Sequence, residues 1–179
     1  MATNARNRLY IENAEIPGGT WRNFSGTERK NRHTGKVINA PGKRNFTLFL
    51  PTDLADELVR EGWNVKFYPG KEEGDEPRPY MKVNVAFGGK YPPTVKLTSI
   101  NSFTGKKKTE KLEEEDLARL DGIRFSDAGL VIRPYEYDEG KVTAYLHSGF
   151  FEYEIDPITA KYDDCFVDES DGSLPFGDE

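Results

Sequence analysis

Residues 45–68, NFTLFLPTDLADELVREGWNVKFY, change their hydrophobic period twice. Over 45–50 the period is two: Phe46, Leu48 and Leu50 share one face, while Asn45, Thr47 and Phe49 take the other. Pro51 and Thr52 then open a helix over 52–62. Thr52 is placed to cap it, acids fill the first turn, and Leu54, Leu58 and Val59 form one apolar stripe. Gly62 stands where a C-terminal cap belongs. From Trp63 the period returns to two, with Trp63, Val65 and Phe67 against Asn64, Lys66 and Tyr68. A strand, a covering helix and a second one-sided strand imply a sheet with one buried and one solvated face.

The pattern extends outward in both directions. YMKVNVAF (80–87) sets Met81, Val83, Val85 and Phe87 against Tyr80, Lys82 and Asn84. TVKLTS (94–99) sets Val95 and Leu97 against Lys96. GLVIRPYEY and KVTAYLHSGFFEYEI, around Asp138-Glu139-Gly140, read as a hairpin whose loop takes three or four residues. Upstream, RLYIENAEI (8–16) and TWRNFS (20–25) read as strands about the Pro17-Gly18-Gly19 turn. Gly26 to Arg44 reads as a long basic loop, and KLEEEDLARL, after the basic GKKK, as a short acidic helix. No internal repeat stands out.

Aromatic residues make up 12% of the chain against a hydrophobic total of 36%, which favours strands over helices. Charge is divided along the chain. Residues 1–111 hold 20 Lys and Arg against 12 Asp and Glu; residues 112–162 hold 5 against 12. Residues 163–179 add seven carboxylates and no cation, bringing the net charge to -6. A basic first part joined to an acidic end suggests a polyanion-binding surface with an internal competitor. The last segment also lacks any period and reads as a flexible acidic tail beyond a domain at 1–162. A single cysteine, Cys165, excludes an internal disulfide and suits a reducing cytoplasm, and no apolar run approaches a membrane span.

The residues for common catalytic and metal chemistry are absent. His33 and His147 are isolated from one another and from Cys165. GTERKNRHTGK fails as a phosphate loop because Lys30 occupies the first glycine position and Val37 replaces the Ser or Thr. The consecutive acids Glu113 to Asp116 point in different directions on a helix, which suits solvent rather than a metal. A non-enzymatic protein without a metal or other cofactor is expected.

What recurs is an aromatic beside a cation on the polar sheet face: Arg22 with Phe24, Lys66 with Tyr68, Tyr80 with Lys82, and Arg133 with Tyr135. Single-strand binding without sequence preference needs this combination, since bases stack on aromatics while Lys and Arg follow phosphates. Lys96 belongs to the same set. Arg29, Lys30, Arg32, Lys36, Lys43 and Arg44 would form a clamp from the basic loop. Three strands, a helix and further strands with long loops match a mainly β, elaborated OB-fold barrel with one or two short helices.

TWRNFSG, RNFTLFLP, GWNVKFYPGKEEGDEPRPYMKVNV, LVIRPYEY and KVTAYLHSGFFE together resemble a family of bacteriophage single-stranded DNA-binding proteins, over most of residues 13–163. The resemblance implies an OB-fold, no catalysis, and protection of single strands during phage replication or recombination. The end DESDGSLPFGDE is similar to the acidic tails with which such proteins recruit replication and repair partners, with Leu174, Pro175 and Phe176 as the apolar hook. It departs from the bacterial pattern in that Phe176 is not the last residue. Two other classes remain open on the residues alone: an acidic protein that mimics DNA and inhibits a nucleic-acid enzyme, and a virion or scaffold protein.

Overall fold

Pro51 has an extended backbone and precedes α1, Thr52–Arg60, so the cap position falls on Pro51 and Thr52 is the first helical residue. Asp53 in the first turn and Arg60 in the last complement the helix dipole. The buried stripe is Ala55 and Leu58 with Leu54 beside them, whereas Val59 is exposed. The helix ends as its glycine implies. Gly62 N–H donates to Val59 O at 3.1 Å and Trp63 N–H donates to Leu58 O at 3.0 Å, the paired bonds of a Schellman cap. Gly62 has φ +91, and a Cβ there would stand 1.9 Å from Gly140 O. Gly62→Ala should cost about 1–3 kcal/mol from backbone strain alone, with the carbonyl clash added. A urea midpoint equal to the wild type would contradict this.

In this computed structural model, which describes residues 7–156 and 158, the remaining elements are strands and two 3₁₀ segments. In chain order the strands are β1 Leu9–Ile11, β2 Arg22–Asn23, β3 Arg29–Lys30, β4 Val37–Asn39, β5 Arg44–Phe49, β6 Val65–Tyr68 and β7 Arg78–Val85. They continue with β8 Thr94–Asn101, β9 Lys107–Leu112, β10 Asp127–Asp138 and β11 Lys141–Ile155. The 3₁₀ segments are Gly19–Trp21 and Glu114–Gly122.

Strand β7 is central. One edge pairs with β5, Phe46 facing Val83 and Leu48 facing Met81. The other edge pairs first with β6 and then, in parallel, with β11 through Ala144 and Val83. β11 forms the long hairpin with β10 and runs on in parallel with β8, outside which β9 lies. β1 covers the far edge of β10, and β2 covers β5. The sheet is not closed into a barrel by a continuous ladder. The segment after β1 stays on β10, Ala14 N–H donating to Ala128 O at 2.8 Å, and reaches β5 through the isolated bridge of Glu15 to Phe49. The fold remains mainly β and OB-like, with α1 following β5.

The alternating residues of β5, β7, β10 and β11 meet inside as one core, in which Phe24 stacks on Phe46 at 5.0 Å and meets Phe151 edge-on at 5.8 Å. The β10–β11 loop is shorter than expected. Asp138 pairs with Lys141 across Glu139-Gly140, and a register shift between Glu136 and Asp138 absorbs the extra residue.

The basic stretch 26–44 is no simple loop. It folds into the β3–β4 hairpin, whose tip is NRHTGK (31–36). Asn31 N–H donates to Lys36 O at 2.8 Å, and Asn31 Oδ1 accepts from His33 and Thr34 N–H. NSFTGK (101–106) closes β8–β9 with the same bonds, Asn101 N–H to Lys106 O at 2.8 Å and Asn101 Oδ1 accepting from Phe103 and Thr104. The chain therefore carries a repeated six-residue turn, each tip bearing an aromatic third residue and a closing lysine. GKKK likewise leads into β9, an edge strand exposed except at Leu112. The acidic helix lies at 114–122 rather than 111–120 and is 3₁₀, with a capping box between Glu113 and Asp116.

Candidate nucleic-acid interface

The face opposite the core is assembled by register. Thr47 lies opposite Lys82, and Phe49 opposite Tyr80 on β5 and β7. Lys66 lies opposite Tyr80, and Tyr68 opposite Arg78, on β6 and β7. Because Met81, Val83 and Val85 are buried, Tyr80, Lys82 and Asn84 point outward. Tyr68 and Tyr80 are therefore on the outer face, as strand alternation predicts, yet both are half-buried. Trp21 roofs them, its ring 5.4 Å from Tyr68, 5.5 Å from Tyr80 and 5.7 Å from Phe49. Arg78 lies over Phe49 at 4.0 Å and pairs with Glu15. Three of the rings, Trp21, Phe49 and Tyr68, border with Arg78 a cleft whose opposite rim is the turn carrying Lys71, Glu72 and Asp75.

Alongside this cluster run three lysines. Lys82 has its pKa lowered, first by burial and then by repulsion from Lys66 and Lys43. The fold thus gathers three cations without a compensating carboxylate among the causes that act on Lys82. Farther along, Tyr145 is opposite Asn84 on the outer side of β11. Tyr135 meets Tyr145 at 5.8 Å, and Arg133 lies over Tyr145 at 5.1 Å. His147 is held below the usual imidazole range by burial and then by Arg8 and Arg133. Two aromatic groups with cations therefore share one sheet face.

Two expected contacts lie elsewhere. Phe24 is 1% exposed and Arg22 is 4% exposed, so neither lies on the solvent face. Arg22 Nε donates to Pro17 O at 3.0 Å, its Nη1 to Leu120 O at 3.0 Å and Ile123 O, and its Nη2 to Ile16 O at 2.9 Å. Its guanidinium also stacks on Phe125 at 4.2 Å. Such a strand residue turns inward because four converging carbonyls replace its water.

The basic clamp is split between structural and free roles. Arg29 donates to Thr20 O at 2.6 Å and to Arg22 O, tying the β3–β4 hairpin to the body. Arg44 pairs with Glu114 at 2.8 Å and Lys30 with Glu28 at 3.4 Å. Arg32, Lys36 and Lys43 are exposed, as is Lys96 on β8. Leu174, Pro175 and Phe176 lie outside the described residues, as does the whole segment 163–179. Trp21, Phe49, Arg78 and Tyr145 join the candidate face and were missed by pairwise sequence reading. Phe49 and Trp21 carried a signal, since both are aromatics at polar-face or turn positions.

A one-sided sheet with clustered rings and converging cations defines a single-strand nucleic-acid binder more closely than any catalytic centre. The family model described as "Putative phage ssDNA-binding domain" matches residues 2–174, and the chain belongs to that family. Among solved structures, the "Single-stranded DNA-binding protein from bacteriophage Enc34" is similar at 16% identity and a TM-score of 0.42, covering 84% of this chain and 83% of that chain. No curated protein matches the chain. Among the described residues no helix is long and apolar enough to cross a membrane.

Proposed function

We propose that this chain binds single-stranded DNA across the outer face of β5–β7–β6 and the start of β11, without sequence preference, in phage replication or recombination within the host cytoplasm. The carrying observation is the joint presence of the Trp21–Phe49–Tyr68–Tyr80 cluster and the Lys43–Lys66–Lys82 group on one sheet face. Bases stack in the cluster, and the lysines follow the phosphates. The acidic rim at Glu72 and Asp75 repels phosphate, which favours bases entering the cleft with the backbone on the lysine side. A fluorescent oligothymidylate titration at two salt concentrations, beside a duplex of equal length, tests the reading. Binding to the single strand that weakens as salt rises supports it. Tighter binding to duplex, or none at low salt, overturns it.

Tyr80→Ala and Tyr68→Ala should each weaken single-strand binding by about 1–3 kcal/mol. Each also loses an edge contact with Trp21, so stability should fall by about 0.5–1.5 kcal/mol. Normal affinity in a variant that melts early would make the rings purely structural.

We further propose that the acidic segment 163–179 competes for the basic face and, once displaced, offers Leu174-Pro175-Phe176 to replication or recombination proteins. A tethered competitor acts at high effective concentration, and its weak contacts are screened by salt. A chain ending at Tyr162 should bind a single strand more tightly than the full chain at low salt and equally at high salt. Equal affinity at both would limit the segment to solubility.

A further inference from the structure

The interface just described occupies only the first part of β11, which runs on for another ten residues to Ile155. Beyond Tyr145 the strand holds a bulge. Leu146 pairs with Ile132 but Ser148 pairs with Val131, leaving His147 as the extra residue. The bulge has a consequence for side-chain direction. Ala144 and Leu146 are buried before it, and Gly149 and Phe151 after it. In a regular strand Tyr145 and Phe150, five residues apart, would point to opposite faces. Here the additional residue restores parity, and Phe150 emerges on the same outer side as Tyr145, 47% exposed.

Phe150 stands in a row of cations. It is opposite Lys96 on β8, and Lys96 is opposite Lys111 on β9. Both lysines are exposed. Across β10 its partner is Gly129, which has no side chain to cover the ring. Tyr10, 73% exposed, pairs with Val131 one position along the same face. The next row holds two acids, Glu152, engaged by Lys107 at 3.4 Å, and Asp127 opposite it on β10.

We propose that Phe150, with Lys96 and Lys111, forms a second contact row for single-stranded DNA, continuous along β11 with the first and occupied by the same strand. The proposal rests on the single-strand reading above. Because the bulge takes up one residue, Tyr145 and Phe150 stand opposite Arg133 and Gly129, four strand steps or about 13 Å apart at roughly 3.3 Å per residue. Tyr80 stands four steps before Asn84, the partner of Tyr145, so a path from Tyr80 to Phe150 covers about 26 Å, beyond the roughly 14 Å of four nucleotides stacked at about 3.4 Å each. One strand then stacks a base on Phe150 while Lys96 and Lys111 flank its phosphates. The ligand chemistry is a polyanion with exposed aromatic faces. Continuity with the first row selects nucleic acid over an acidic peptide.

The test compares a short oligothymidylate of about 4 nucleotides with one of about 16, the two ends of the usual OB-fold footprint. Phe150→Ala should weaken binding of the long oligonucleotide about five- to 150-fold, the range of one lost base stack, and leave the short one unchanged. Phe150→Trp should restore it. Lys96→Gln with Lys111→Gln should lower the salt slope of the long ligand by about 1.4, or 0.7 per phosphate. Equal losses on both lengths, or no loss on the long one, would overturn the second row while leaving the first intact. A wild-type chain that binds neither length would overturn the single-strand reading itself.

Discussion

Arg22→Met should lower the unfolding free energy by about 3–5 kcal/mol, the range for removing one partner of a buried charged network. It should leave the DNA affinity of the folded fraction unchanged. Arg22 binds the carbonyls of Ile16, Pro17, Leu120 and Ile123, so it clasps the turn before β2 to the end of the 3₁₀ segment 114–122. Asp121, the nearby counter-charge, is itself spent on Phe24 N–H at 2.7 Å and Ser25 N–H at 3.1 Å. Methionine fills the space but removes the donor from four carbonyls, of which Leu120 O keeps Ile123 N–H at 3.5 Å, and each orphaned group costs about 1–3 kcal/mol before water relieves it. Urea unfolding measures the loss, and a titration normalised to the folded fraction measures the affinity. A normal midpoint with lost affinity would return Arg22 to the interface.

The contrast between Arg22 and Lys82 shows what strand alternation can and cannot deliver. Within β5 and β7 the two-residue period gave the inner set, Phe46, Leu48, Met81, Val83 and Val85, and hence the outward set with Tyr80 and Lys82. In β7 burial follows parity throughout, whereas in β5 Thr47, of outer parity, is buried along with Phe46 and Leu48. β2 has two residues, both buried, and there parity says nothing. Arg22 carries a charge that reads as solvated unless the four carbonyls are known, and two of those, Leu120 O and Ile123 O, come from a segment about a hundred residues away. Phe67 fails in the opposite sense. It shares parity with Trp63 but lies beyond the core and is 52% exposed.

Other features were written in the chain at a scale that hydrophobic period does not reach. NRHTGK and NSFTGK share Asn, Thr, Gly and Lys at fixed positions, and those side chains and the positive φ of Gly35 and Gly105 build the same turn twice. The repeat marks two hairpins, one of them where a long basic loop was expected. β9 gave no periodic signal because an edge strand with lysines needs none; its charges discourage edge pairing while its backbone bonds to β8 hold it. The aromatic cluster was half legible. Tyr68 and Tyr80 follow from parity, but Trp21 comes from a 3₁₀ segment, and only the fold brings it over them.

Changing Lys43, Lys66 and Lys82 together to Gln should reduce the slope of log affinity against log salt by about 2, from three phosphates at about 0.7 each. At about 50 mM salt that corresponds to a loss of roughly 10²–10³ in affinity. The fold should not weaken. Lys82 has its pKa lowered by burial and by Lys66 and Lys43, so the native protein holds these charges together against their mutual repulsion. A group whose folded-state pKa is lowered binds protons less readily folded than unfolded, so its charge opposes folding at neutral pH. Removing it leaves the thermal midpoint unchanged or raises it. Phosphate would reverse the sign of the field these lysines feel, so on the proposed reading binding is what satisfies them. Arg22 has the reverse character, satisfied within the fold and closed to ligand. The triple variant therefore separates affinity from stability as Arg22→Met separates stability from affinity. An unchanged salt slope with an intact fold would remove phosphate tracking from this face and leave its binding to the aromatic rings alone.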